Sequence, residues 1–131
     1  HLRDCVAVQH QVERMGFNLL ETLVNLRSEG ASIWGYGAAA KATVMMNYCR
    51  IDNSIIGAVA DETPAKIGKY IPGTGIKVHH PDDWLQAKPD YTCIFAWNYA
   101  RIIASRYVDT YRGSLFTPYD LPRLPIKMGA K

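Results

Sequence analysis

The sequence predicts an α/β, Rossmann-like three-layer domain: a mostly parallel sheet with helices on both faces, preceded by a long N-terminal helix. Three observations predict it. Short apolar runs are each followed by a segment with helical spacing. The runs are apolar throughout rather than alternating, as strands covered on both faces must be. The first of them ends in Gly-x-Gly where a helix should begin, the place where this fold class makes its anion-binding turn.

Residues 1–29 read as one helix. Cys5, Val8, Val12, Met15, Leu19, Leu23 and Leu26 recur at steps of three or four and form one apolar stripe. Gly16 weakens this helix by about 1 kcal/mol, and Gly30 is a natural stop. Residues 31–35 are a short strand, and an Ala-rich helix follows over about residues 39–49. Residues 55–59 form a second buried strand ending at Asp61. A long Gly/Pro-rich connection over residues 61–75 leads to a third strand at 76–78. Pro81 opens a short helix through Gln86, since proline is tolerated in a first turn. Residues 91–95 are the next strand, 101–110 the next helix and 114–117 a last short strand. A tail with Pro118, Pro122 and Pro125 closes the chain.

Composition narrows the function classes. The 131 residues carry 15 Lys and Arg against 12 Asp and Glu, a formal charge of +3, and 48% are hydrophobic. This is globular usage in one domain, not disorder. The basic residues are scattered, so no nucleic-acid footprint is predicted. No apolar run approaches the roughly 20 residues a membrane helix needs, and no signal peptide opens the chain. Cys5, Cys49 and Cys93 stand far apart with no C-x-x-C, which predicts reduced, mostly buried thiols in a cytoplasmic protein rather than disulfides or a zinc knuckle. The first residue is His, so the chain is expected to be a piece of something longer.

Ligands of such a sheet sit outside the carboxyl ends of the strands, which points to three loops. Gly35-Tyr36-Gly37-Ala38-Ala39-Ala40 fits the loose G-x-G-x-x-G/A pattern, with Lys41 one turn in. Backbone N–H groups and a helix N-terminus there favour a phosphate; the alternative is glycines that only make the turn. Asp61 stands where dinucleotide enzymes keep a ribose-binding acid, or it caps a loop. Lys66 and Lys69 lie in a connection long enough to be functional, or in a solvated turn. Trp97 and Asn98 could stack on a base and bond its edge; alternatively Trp97 fills core and Asn98 caps the next helix. His79 and His80 are adjacent in a strand and point to opposite faces, so no metal site is predicted. Asp82 and Asp83 suit the first turn of the helix after them. No self-sufficient catalytic constellation is visible.

Taken in order, these motifs resemble the C-terminal domain of the sugar C-methyltransferase family. The resemblance is carried by Trp34-Gly35-Tyr36-Gly37-Ala38-Ala39-Ala40-Lys41, Asn47-Tyr48-Cys49, Asp61 to Pro64, and Lys66-x-Gly68-Lys69-Tyr70-Ile71-Pro72-Gly73-Thr74. Lys88-Pro89-Asp90-Tyr91 leading to Trp97-Asn98 completes it. It departs from the pattern at Glu62, where the family often has Arg, at Ala42, and at Phe95-Ala96; Glu62 in particular would repel phosphate.

The resemblance implies a nucleotide-sugar-binding domain of an S-adenosylmethionine-dependent C-methyltransferase acting on a nucleotide-linked deoxysugar. It implies that the cofactor site and the catalytic groups lie outside these residues, in preceding zinc-binding and S-adenosylmethionine-binding domains. The isolated piece is then expected to be inactive and to bind no cofactor or metal. A nucleotide-diphosphate sugar is the expected partner. The expected substrate-binding residues are Gly35, Tyr36, Gly37 and Lys41 after the first strand, Asp61, Lys66 and Thr74 in the long connection, and Trp97 and Asn98 after the fourth strand. Two rivals remain: an NAD(P)- or other nucleotide-binding Rossmann domain, and a non-catalytic scaffold docking through its long helix.

Overall fold

A computed structural model describes the backbone of residues 2–120 and the side chains of residue 10 and residues 13–120. Helix α1 (Leu2–Ser28) leads into β1 (Ile33–Tyr36), α2 (Ala40–Tyr48) and β2 (Ala58–Ala60). A short edge pair, β3 (Tyr70–Ile71) and β4 (Ile76–His79), is followed by α3 (Pro81–Ala87), β5 (Tyr91–Ile94), α4 (Ala100–Arg106) and β6 (Ser114–Phe116). The six strands form one sheet in the order β3-β4-β2-β1-β5-β6. Only β3 runs antiparallel; β4, β2, β1, β5 and β6 are parallel neighbours. Their carboxyl ends therefore open on one edge, and the residues after Tyr36, Ala60 and Ile94 share it. The fold class expected from the sequence is the one observed.

The strand pleat sorts the core into two layers. Ile33, Val59, Cys93 and Phe95 face a layer with Met15, Leu19, Leu23 and Leu26 of α1 and Ala42, Met45 and Met46 of α2. Tyr36, Ala60 and Ile94 face the other way, onto Trp84 of α3, Ile103 of α4 and Tyr111. The described part of the α1 stripe is thus occupied by the protein's own core. Cys5, Val8 and Val12 of the expected stripe lie outside the described side chains, as does the tail beyond Asp120. Gly16 is a contact point rather than a flaw: a Cβ there would collide with the Cys49 sulfur at the end of α2. Cys49 and Cys93 are buried free thiols, pushed up in pKa by burial.

Several boundaries differ from the sequence reading, and these bear most on the site. Ile55 and Ile56 lie in a turn rather than in β2, because their N–H groups donate to the Asp52 carbonyl at 3.0 Å each, while the Asp52 carboxylate accepts from the Ser54 N–H and hydroxyl. The connection over 61–75 hides β3, whose Tyr70 and Ile71 pair with Lys77 and Ile76. The helix expected over 101–110 stops at Arg106, and a 3-10 turn, Trp97–Tyr99, precedes it. Asn98 lies inside that turn and caps nothing; the residue before α4 is Tyr99, without a side-chain cap. His80 does cap α3, its Nδ1 accepting the Asp82 N–H at 3.0 Å. Among the described residues no helix is long and apolar enough to cross a membrane.

Candidate functional site

The strand order runs away from β1 in both directions, to β2 on one side and to β5 on the other. This is a topological switch point, where the loops after neighbouring parallel strands part and leave a crevice. The turn over residues 37–39, after β1, and the turn Trp97–Tyr99, after β5, flank it.

The first turn is held by its neighbours. The Gly37 N–H donates to the Ala60 carbonyl at 2.8 Å. The Ala38 N–H donates to Asp61 Oδ2 at 2.7 Å, and Lys66 Nζ donates to the Ala38 carbonyl at 2.9 Å. Asp61 also accepts the Thr63 N–H, through Oδ1, at 2.8 Å. Asp61 and Lys66 thus clamp the turn from both sides. Burial pushes the Asp61 carboxyl up in pKa, but the N–H groups of Ala38 and Thr63, the Thr63 side chain and the nearby Lys66 ammonium outweigh it and hold the group below the usual carboxylate range.

A depressed carboxyl stabilises the fold above its unfolded pKa, about 3.9, and loses that contribution as pH falls through the folded value. Asp61→Asn is therefore expected to flatten the fall in stability below about pH 5, and to leave the slope between about pH 5 and about pH 7 unchanged. Denaturant midpoints of both proteins across both ranges test this; parallel slopes in the acid range would show that the clamp carries no charge-dependent stability.

Beyond the clamp, α2 presents an open N-terminus. Ala39 precedes it in extended conformation with no capping side chain, and no acid stands in its first turn. The first N–H groups of a helix lack intrahelical partners and carry a partial positive charge. Lys41 is exposed on that turn, its Nζ 5.9 Å from the centre of the Trp97 ring, within cation–π range. Trp97 is half-buried, one side on the core and its ring edge-on to Tyr119 at 5.2 Å. Asn98 beside it is exposed.

On the α4 side of the crevice a cavity of about 230 Å³ is lined by Tyr36, Gly37, Asp61, Glu62, Thr63, Ala96, Tyr99, Ile102, Ile103 and Arg106. The Tyr36 hydroxyl meets the Tyr107 hydroxyl at 3.0 Å, and burial, reinforced by that bond, raises the Tyr36 phenol well above its ordinary pKa. Glu62 and Arg106 form an ion pair at the rim.

The structure therefore brings together Tyr36, Gly37, Lys41, Asp61, Lys66, Trp97 and Asn98 at one edge. It does not bring Thr74 there. Thr74 is buried in the turn before β4, at the opposite edge, its hydroxyl donating to the Ile71 carbonyl at 2.8 Å and accepting the Ile76 N–H at 3.0 Å. Gly35 lies inside β1 against Phe95 and Val59, a packing position. Tyr99, Ile102 and Arg106 also line the cavity; the signal for them in the sequence is their steps of three and four along one helical face.

Comparison with known proteins gives a concordant result. Residues 4–118 match the family described as the C-methyltransferase C-terminal domain. The chain is similar to the C-methyltransferase NovU of Streptomyces niveus, with 31% identity over 114 residues, 86% of this chain and 27% of that protein. It thus spans about a quarter of the length of the curated relative it matches. On these grounds the chain belongs to the C-methyltransferase C-terminal domain family.

Proposed function

We propose that this chain is the substrate-holding part of an S-adenosylmethionine-dependent methyltransferase that acts on a carbon of a nucleotide-linked deoxysugar. The nucleotide diphosphate lies at the start of α2 and the base beside Trp97 and Asn98. One observation carries this reading: the uncapped N-terminus of α2, the Lys41 ammonium and the Trp97 ring converge at the switch point. Backbone N–H donors, a cation and an aromatic face are the complementary partners of a nucleotide diphosphate.

A dinucleotide fits this edge less well. Its fingerprint needs loop N–H groups turned to the pyrophosphate and an acid turned to the ribose. Here the Gly37 and Ala38 N–H groups are already bonded to Ala60 and Asp61, and Asp61 is bonded to the loop itself. The same bonds argue against S-adenosylmethionine at this edge, where a ribose acid would again be required and where a sulfonium would approach the Lys41 and Lys66 cations. The methyl donor and the catalytic groups are accordingly assigned to other parts of a longer protein.

Losing one charge-assisted contact costs roughly 1.5–3 kcal/mol, about a tenfold to hundredfold loss in affinity. Lys41→Ala is expected to weaken thymidine diphosphate binding by that order while leaving the melting temperature unchanged, because the side chain is exposed. Added salt should weaken wild-type binding as well. Titration of both proteins, with NAD and S-adenosylmethionine as parallel ligands that should not stabilise the fold, is the test. Equal affinities would leave Lys41 a solvated charge, and stabilisation by NAD would favour the dinucleotide reading.

A further inference from the structure

We infer that Glu62 makes the cavity beside the diphosphate site prefer an uncharged sugar over one that carries a carboxylate. The inference rests on the preceding reading of this edge as a nucleotide-diphosphate site. The cavity lies directly against the Gly37 turn and is about 230 Å³, below the roughly 300–1,000 Å³ of pockets for drug-sized ligands. It suits one ring-sized group continuous with a ligand at α2.

Its charge is the informative feature. Among the described residues, three charged side chains line it: Asp61, Glu62 and Arg106. Asp61 already serves the loop N–H groups, and the Arg106 guanidinium is taken up by Glu62. The cavity therefore holds two carboxylates against one cation, and that cation is neutralised. An unpaired arginine at the rim would be a bidentate receptor for a carboxylate. With Glu62 in place, an incoming carboxylate must break the pair and meet the Glu62 charge at close range. Hydroxyl groups face no such repulsion and can donate to the carboxylate lining. The apolar faces of Tyr99 and Ile102 complete a surface suited to a ring with few hydroxyls. The described lining is net negative and does not suit the diphosphate, which leaves that group to Lys41 and the α2 N-terminus.

The test is a set of titrations of the 131-residue chain with dTDP, dTDP-glucose and dTDP-glucuronate. Wild type is expected to prefer dTDP-glucose over dTDP-glucuronate on the order of fivefold, the size of effect a partly exposed charge pair supports. Glu62→Gln keeps the shape, frees Arg106 and is expected to abolish or reverse that preference. Adding Arg106→Gln to it should remove the gain for the glucuronate. A wild type that binds both sugars equally, or a preference unchanged in Glu62→Gln, overturns this inference while leaving the diphosphate site standing. Failure of dTDP itself to bind overturns the nucleotide reading, and this inference falls with it.

Discussion

Trp84→Ala is expected to cost about 3–5 kcal/mol of stability, the range for removing a fully buried large aromatic side chain. Trp84 has no exposed surface. Its ring stacks on Tyr111 at 4.6 Å and meets Tyr107 and Tyr36 edge-on at 4.8 and 5.1 Å. Its Nε1–H donates to the Thr92 hydroxyl at 2.9 Å, which donates to the Tyr111 hydroxyl at 2.9 Å, which donates to the Pro89 carbonyl at 2.8 Å. Burial pushes the Tyr111 phenol up to about 12, so the relay stays protonated through the physiological range. Alanine would leave a void under α3 and deprive the Thr92 oxygen of its donor. Against a typical total of about 5–15 kcal/mol, the variant is expected to be close to unfolding at room temperature. Trp84→Phe should lose less, because it keeps most of the volume and drops the hydrogen bond. Denaturant unfolding of the three proteins checks this; an alanine variant within about 1 kcal/mol of wild type would show that the aromatic layer does not hold this face.

The same cluster bears on the site. Tyr36, at the end of β1, both packs on Trp84 and lines the cavity, so loss of Trp84 is expected to loosen the cavity wall. Little of this was legible in the sequence. The apolar strand runs and the helix spacing located β1, β5 and both helix layers, because burial on two faces leaves an unmistakable pattern. The relay through Trp84, Thr92 and Tyr111 joins residues far apart in the chain, and no local periodicity encodes such a bond.

The candidate site divides in the same way. Gly37, Lys41, Asp61 and Trp97 were legible because they immediately follow strands or open a helix, and parallel pairing forces those positions onto one edge. Thr74 misled because it sits in the same motif run as Lys66, yet β3 turns the chain back before it and places it at the other edge. Arg106 stayed hidden because its meaning comes from Glu62, forty-four positions earlier, and the Glu62 departure read only as a repulsive charge without its partner. Lys66 and Asp61, expected as ligand contacts, are first of all the clamp on the Gly37 turn.

That turn supplies the second large effect: Gly37→Ala is expected to destabilise the fold by roughly 2–5 kcal/mol, adding strain at positive φ to overpacking. Gly37 sits at φ +99°, where side chains are rarely accommodated, and a Cβ there would lie 2.9 Å from the Ala96 Cβ and 3.0 Å from its backbone nitrogen. Backbone cannot yield as a side chain can. Gly35→Ala offers the contrast: its Cβ would meet the Phe95 ring at 2.8 Å and a Val59 methyl at 3.0 Å, side-chain groups free to shift, in a strand with ordinary backbone angles. The Gly37 variant should therefore be the less stable of the two, and without any ligand present. It should also bind thymidine diphosphate more weakly than its residual folding explains, because pushing Ala96 away moves Trp97, the next residue, off the Lys41 side chain. Melting curves and titrations on both variants separate the two roles of this glycine. A Gly37→Ala protein as stable as wild type but unable to bind would make the residue a close-approach point for the ligand alone. A protein destabilised as expected makes it the joint between the loops after β1 and β5, on which the shape of the crevice depends.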